Sequence, residues 1–259
     1  MVWRQQGDLW VLDPDRNQTA RRRGLIEFIG GSYLAATPQL SYRRLLEALA
    51  QCGWRIHAWS YVPGFDHQSQ ANSAWRLFRQ AHQALGDQLG GERIWRLRLG
   101  HSLGCKLHLL APDGGRGCDG LVALAFNNFS AERSVPLLAE LGQQFNFRSE
   151  FSPSPQETLD QVQRLHRQAD NLLVRFQRDN LDQSPRLLAA LRSRTGDRSE
   201  LLQLPGDHLT PASAGLRQNL LGRWADDPAR ARQISGLADR IDAWVTAVRT
   251  GRDSGVRGS

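Results

Sequence analysis

Short runs of apolar, β-branched and aromatic residues alternate along the chain with longer stretches in which apolar residues recur every three or four positions. That is the pattern of strands and crossover helices in an α/β sheet. Val2 to Leu12 reads as two short strands around Gly7-Asp8, a starting hairpin. Gly24 to Ile29 is a compact buried strand ending at Gly30-Gly31, and Pro38 to Gln51 follows as one helix with Leu45, Leu46 and Leu49 on a single face. Trp54 to Val62 is the next strand, closed by Pro63-Gly64, and Ser69 to Leu89 is a long helix. Ile94 to Leu99 reads as a strand, Gly100 to Leu110 as a sharp turn into a short helix, and Leu121 to Phe126 as a further buried strand. Leu172 to Phe176 and Leu201 to Leu204 complete the strand set, and Gly236 to Val248 is an amphipathic closing helix.

Two segments break the alternation. Residues 127–168 hold no strand pattern, only a polar and aromatic stretch with Pro136, Pro153 and Pro155, the size of a small helical cap inserted over an active-site face. Residues 250–259, rich in Gly, Ser and Arg, read as a frayed, flexible tail. The expected organisation is therefore a core of residues 1–126 and 169–249, a cap of 127–168 and a tail.

Composition narrows the class. At 259 residues, 40% of them hydrophobic and 23% charged, the chain suits one large domain rather than a disordered polymer. Its longest apolar runs fall far short of the roughly 20 residues that span a bilayer, and no charged-then-apolar leader precedes Trp3. A soluble, cytoplasmic protein is expected. Cys52, Cys105 and Cys118 form no C-x-x-C spacing, which argues against a disulfide framework or a thiolate zinc site and fits a reducing compartment. The formal charge of +7 comes almost wholly from arginine, Lys106 being the only lysine. Arg21-Arg22-Arg23 is the one contiguous run of three, and the remaining arginines are dispersed along helices as solvated faces. No nucleic-acid partner is expected, whereas peripheral contact with an anionic membrane stays open, as does the oligomeric state.

The chemistry concentrates at Gly100-His101-Ser102-Leu103-Gly104, a G-x-S-x-G sequence with a strand running into it and a helix running out. A serine on so tight a turn has strained backbone angles and tolerates only small residues two positions either side. The Ser102 hydroxyl is then expected at the carboxyl end of the sheet, with the Leu103 amide turned toward a developing oxyanion. Serine needs a base held by an acid, in the chain order Ser, Asp or Glu, His. His208, in the loop after the last strand, is the candidate base, while His57, His82, His108 and His166 lie inside expected strands or helices. The acid belongs in the loop after Leu172 to Phe176, which offers Asp179 and Asp182; loop geometry favours Asp179, and Asp182 is also placed to cap the helix opening at Ser184-Pro185. The Ser32 amide, after Gly30-Gly31, is the candidate second oxyanion donor. Gly30, Gly31, Tyr33, Phe65 and His101 are candidate substrate contacts. Gly64-Phe65-Asp66-His67 is expected at the pocket mouth and is unconvincing as a metal site; Asn127 and Asn128 fit turn capping better than a role in the site.

With these residues the chain resembles an α/β-hydrolase from about Gly24 to Val248. More closely, Phe28-Ile29-Gly30-Gly31, Pro38-Gln39-Leu40-Ser41-Tyr42, Gly64-Phe65-Asp66-His67, the Ser102 motif, Phe126-Asn127-Asn128, Leu181-Asp182-Gln183-Ser184 and His208-Leu209-Thr210-Pro211 resemble an uncharacterised family of cyanobacteria and plant plastids, classed as a domain of unknown function. The resemblance implies an α/β-hydrolase fold with a mostly parallel central sheet flanked by helices. Its Leu181-Asp182-Gln183-Ser184 pattern pulls toward Asp182 as the acid, so the choice between the two aspartates stays open.

The reading that follows is a serine hydrolase acting on a small-molecule carboxylic ester or thioester, needing no metal or organic cofactor. Phe129, Phe145, Phe147 and Phe151 would form an apolar roof over a lipophilic acyl group, or simply pack the cap onto the core. The alternative is a non-catalytic α/β-hydrolase scaffold that binds a small ligand or a protein partner.

Overall fold

Leu25, Ile26, Phe28 and Ile29 are all buried within one six-residue strand, as a strand covered on both faces by helices requires. The computed structural model describes residues 1–14, 23–131, 150–212 and 228–256. Among these, the strands β1 (Trp3–Gln6), β2 (Leu9–Leu12), β3 (Gly24–Ile29), β4 (Trp54–Trp59), β5 (Arg96–His101), β6 (Gly120–Leu124), β7 (Asn171–Phe176) and β8 (Glu200–Leu204) form one sheet in the order β1-β2-β4-β3-β5-β6-β7-β8. β1 and β2 pair antiparallel, as does β2 with β4, and every other pairing is parallel.

The helices are α1 (Pro38–Ser41), α2 (Arg43–Gln51), α3 (His67–Gln88), α4 (Leu103–Leu109), α5 (Pro155–Leu165), α6 (Ser184–Arg192) and α7 (Pro228–Val256). On one face, Ile26, Phe28, Leu97, Leu99, Val122 and Val174 pack against Leu45 and Leu49 of α2 and Leu237, Ile241 and Val245 of α7. The alternate residues of the same strands face the other helices, Ile29 meeting Leu103 and Leu107 of α4, and Leu121 and Leu173 meeting Leu187 of α6. This two-residue alternation with a helical layer on each face is the α/β architecture expected from the sequence.

Three elements depart from expectation, each for a physical reason. The helix expected from Pro38 to Gln51 is two helices broken at Tyr42, whose φ of −116° and ψ of 16° leave the helical region. The cap expected over 127–168 contains α5, which lies on the core: Val162 packs with Cys105, Leu121 and Leu173. Because β6 and β7 are parallel, the chain must cross over between them, and α5 is that crossover. Residues 132–149 of the expected cap, with Phe145 and Phe147, lie outside the described residues. The tail expected over 250–259 is helical as far as Val256. Arg252 anchors it, pairing with Asp170 and donating to the Asp119 carbonyl oxygen at 2.9 Å.

The face toward α3 and α4 also carries polar groups that the hydrophobic pattern conceals. Register sets Glu27 beside Arg98 and His57, and Arg98 makes two hydrogen bonds to Asp113, of 2.9 and 2.7 Å. Burial pushes the Glu27 carboxyl up, against the opposing pull of Arg98 and Arg96. No helix among the described residues is long and apolar enough to cross a membrane.

Candidate active site

β3 is flanked by β4 on one side and β5 on the other, so the chain reverses its direction of travel across the sheet at the β3–β5 pair. In open parallel sheets the crevice at such a reversal, beyond the carboxyl ends of the strands, is where ligands sit. Ser102 follows β5 and Gly30-Gly31-Ser32 follows β3, so both candidate segments emerge at that crevice.

Ser102 has φ 54° and ψ −119°, a region that side chains rarely adopt, and its amide donates to the Leu124 carbonyl oxygen at 2.9 Å. The strained turn is held by close approach on both sides. A Cβ on Gly104 would lie 2.0 Å from the Ile29 carbonyl oxygen, and one on Gly100 would lie 2.6 Å from the Cys105 nitrogen. Only glycine lets α4 pack this tightly against the ends of β3 and β5, and that packing fixes the serine hydroxyl in the crevice.

His208 lies on the loop after β8 and Asp179 on the loop after β7, and hydrogen bonds from Gln177 N to Leu204 O (3.0 Å) and from Arg178 N to Gly206 O (2.9 Å) hold the two loops together. Asp207 braces the histidine loop by accepting from the Leu209 amide and from Arg230, at 3.1 and 2.8 Å. The Ser102 Oγ stands 3.1 Å from His208 Nε2, and His208 Nδ1 stands 2.8 Å from Asp179 Oδ2. The other Asp179 oxygen accepts from the Leu181 amide at 2.8 Å. Burial alone would raise the Asp179 carboxyl; the hydrogen bond and charge of His208, with the Leu181 amide, outweigh it and hold the group below its ordinary value.

Asp182 is turned elsewhere. Its two oxygens accept from the Ser184 amide (3.0 Å) and the Ser184 hydroxyl (2.8 Å), a local turn at the start of α6. The structure thus brings Asp179, and not Asp182, to His208, against the pull of the family pattern.

The remaining candidates divide. Ser32 opens a 3₁₀ helix (Ser32–Leu34) and Leu103 opens α4, so neither amide has an acceptor within its own helix. A Cβ on Gly31 would lie 3.1 Å from the Ser102 Cβ, which puts the Gly31 backbone directly against the serine. Gly30 instead faces the Tyr42 ring, with room for a Cβ only 2.7 Å from its Cε2. Phe65 is 46% exposed and inclined against Phe151, their rings 5.6 Å apart. The Tyr33 side chain lies outside the described residues.

His101, read from the sequence as a substrate contact, is corrected: it is 1% exposed, and both ring nitrogens are engaged within the protein. Burial, with the neighbouring His208, pushes its pKa down to about 3. Its partner Tyr42 belongs to the Pro38-to-Tyr42 family pattern, but the helix pattern running straight through it conceals this contact.

Asp66 caps α3 by accepting from the Ser69 amide at 2.8 Å. Among the described residues no group of three His, Cys, Asp or Glu side chains is placed to hold a metal ion. Asn127 and Asn128 serve local structure, Asn127 accepting from the Phe129 amide and Asn128 donating to the Pro155 carbonyl.

Solved structures share this architecture at low sequence identity. A soluble variant of monoglyceride lipase from Saccharomyces cerevisiae, in complex with a substrate analog, aligns over 95% of this chain and 94% of its own with a TM-score of 0.61 and 14% identity. Carboxyl esterase 2 from the mycorrhizal fungus Tuber melanosporum aligns over 92% and 82%, with a TM-score of 0.58 and 15% identity. XC6422 from Xanthomonas campestris, described as an α/β serine hydrolase without lid, aligns over 92% and 88%, with a TM-score of 0.56 and 12% identity. No curated protein sequence matches the chain. The strand order, the strained serine turn and these likenesses define an α/β-hydrolase fold, and a match to the family model over residues 2–226 shows that the chain belongs to DUF1350, a family of proteins of unknown function.

Proposed function

We propose that this chain is a serine hydrolase acting on a carboxylic ester or thioester. One observation carries the reading: the unbroken line of contacts from Ser102 Oγ to His208 Nε2 (3.1 Å) and from His208 Nδ1 to Asp179 (2.8 Å), with the serine on a strained turn in the sheet crevice. A strained residue persists only where surrounding structure enforces it, and here the enforcement delivers a hydroxyl to a base.

In this reading His208 Nε2 takes the Ser102 proton as Oγ attacks the acyl carbon. Asp179 holds the Nδ1–H and so keeps Nε2 free to accept. The carbonyl oxygen becomes an oxyanion that the Ser32 and Leu103 amides, each at the start of a helix, are assigned to receive. His208 then returns the proton to the departing alcohol or thiol, leaving an acyl group on Ser102. Water, activated by the same imidazole, releases the acid.

The loops leaving the same edge of the sheet support a lipophilic acyl group. Val62, Phe65 and Leu181 are 79%, 46% and 46% exposed on the segments after β4 and β7, apolar surface that an acyl chain would cover. The test is hydrolysis of a p-nitrophenyl ester series from acetate to decanoate, alongside the matching thioesters, with Ser102→Ala as the control. Turnover lost in Ser102→Ala, with kcat/KM for medium chains at or above that for acetate, is expected. Turnover that survives in Ser102→Ala contradicts the mechanism, and a clear preference for acetate removes the lipophilic acyl group.

A further inference from the structure

The residue before the nucleophile and a tyrosine distant in sequence share one hydrogen-bonded line that passes beside the triad without joining it. The Gly31 amide donates to Tyr42 Oη at 2.8 Å, Tyr42 Oη lies 2.7 Å from His101 Nδ1, and His101 Nε2 lies 2.9 Å from the His208 carbonyl oxygen. Tyr42 is fully buried and His101 nearly so.

The positions of the protons follow from chemistry. A carbonyl oxygen only accepts, so the His101 proton facing His208 sits on Nε2. The ring is neutral, because burial disfavours its cation, and Nδ1 is therefore the acceptor. The Tyr42 hydroxyl must then donate to Nδ1, leaving its oxygen to receive the Gly31 N–H. Every bond points the same way, from the loop after β3, through Tyr42 and His101, to the loop after β8. A reversed proton anywhere along it would leave two donors or two acceptors face to face.

We propose that Tyr42 and His101 are positioning residues that lock the oxyanion-side loop to the backbone of the base. This inference rests on the hydrolase reading and adds to it how the Ser32 amide and His208 are held in register with Ser102. Three consequences support it. The line consumes the Gly31 amide, which leaves Ser32 as the next amide of that loop, with no backbone acceptor among the described residues. It meets His208 at its main chain, so it fixes where the imidazole is mounted without competing for either ring nitrogen. It also accounts for the break between α1 and α2, since the non-helical Tyr42 is the residue whose hydroxyl reaches Gly31.

A purely structural role predicts that substitutions cost stability alone, so the test separates the two ends of the His101 ring. In His101→Gln the amide nitrogen takes the place of Nε2 and retains a donor for the His208 carbonyl. In His101→Asn the amide takes the place of Nδ1 and retains only the Tyr42 contact. The measurement is the second-order rate of fluorophosphonate labelling of wild type, both variants and Tyr42→Phe, normalised to the folded fraction. It is paired with ¹⁵N chemical shifts of the His101 ring in wild type, which need no activity.

The expected result is a neutral Nε2–H tautomer at His101. Labelling should fall about 10- to 100-fold in His101→Asn, the scale of an ångström-sized misplacement, and markedly less in His101→Gln, with Tyr42→Phe also slowed. Variants that label at the wild-type rate, or Asn and Gln variants slowed equally, overturn the positioning role while leaving the hydrolase reading intact. An Nδ1–H tautomer overturns the line itself. Failure of wild type to label overturns the hydrolase reading, and the positioning role with it, even where the shifts show the line to be present.

Discussion

Replacing Asp179 by asparagine tests the identity of the acid through a proton rather than through the fold. The carboxylate is pinned at both ends: Oδ1 accepts from the Leu181 amide at 2.8 Å and Oδ2 faces His208 Nδ1 at 2.8 Å. In Asp179→Asn the Leu181 N–H still demands an acceptor, so the amide oxygen keeps the Oδ1 position and the NH₂ turns toward His208. Nδ1 must then become the acceptor, the imidazole proton moves to Nε2, and Nε2 presents a hydrogen to Ser102 Oγ instead of a lone pair. The base holds the wrong tautomer although every heavy atom remains in place. The expected loss is about 10⁴-fold in kcat, the scale for a triad whose acid is made an amide, with little change in KM. Asp182→Asn, which disturbs only the turn at Ser184, should stay within about threefold of wild type, since the change removes at most part of one local hydrogen bond. The assay is steady-state hydrolysis of an activated ester, with circular dichroism and urea unfolding to show that both variants fold. A large loss in Asp182→Asn together with near-normal Asp179→Asn would refute the assignment and restore the aspartate that the family pattern favours.

Other consequences follow from the same geometry. Gly104→Ala places a methyl group 2.0 Å from the Ile29 carbonyl oxygen, so α4 and the end of β3 must separate; a stability loss of about 3 kcal/mol, read by urea denaturation, is expected, and a variant as stable as wild type contradicts the packing. Stability should also fall on mild acidification. Burial, the largest cause in each case, pushes His57, His101 and His108 down to about 3 and His166 to about 4, from an ordinary 6.5. Between about pH 6.5 and pH 4 the unfolded chain therefore takes up protons that the folded chain does not, and each histidine fully in that window contributes a slope of about 1.4 kcal/mol per pH unit. Unfolding midpoints measured from pH 7 to pH 4.5 should drop steeply, and a flat profile would contradict the neutral, buried state of these rings.

Much of the fold is legible in the sequence, and the reasons are local. Strands such as Gly24 to Ile29 announce themselves because a strand buried on both faces is apolar at most positions, and the Ser102 turn does so because only glycine fits where α4 meets β3. The place of His208, in the loop after the last strand and beside Ser102, follows from the same strand pattern. Other features lie beyond a pattern of apolar and polar positions. Asp179 and Asp182 are three residues apart on one loop, and which one meets His208 depends on whether the Leu181 or the Ser184 amide orients each carboxyl. The Glu27–Arg98 pairing is invisible until register sets the two residues side by side. α5 merged with the segment before it because its apolar face is narrow, although the parallel β6–β7 pair demands a crossover there. Tyr42 stands in the Pro38-to-Tyr42 family pattern, but its role is not legible there, since it depends on a contact across 59 positions with His101.

The central claim is that Ser102 is an activated nucleophile, and the most direct measurement is intact-mass analysis after exposure to a fluorophosphonate. Wild type should gain one phosphonyl group on Ser102, Ser102→Ala none, and folded His208→Ala should react far more slowly, because the hydroxyl has lost the base 3.1 Å away. Unmodified wild type, or Ser102→Ala that labels as readily as wild type, would contradict the account.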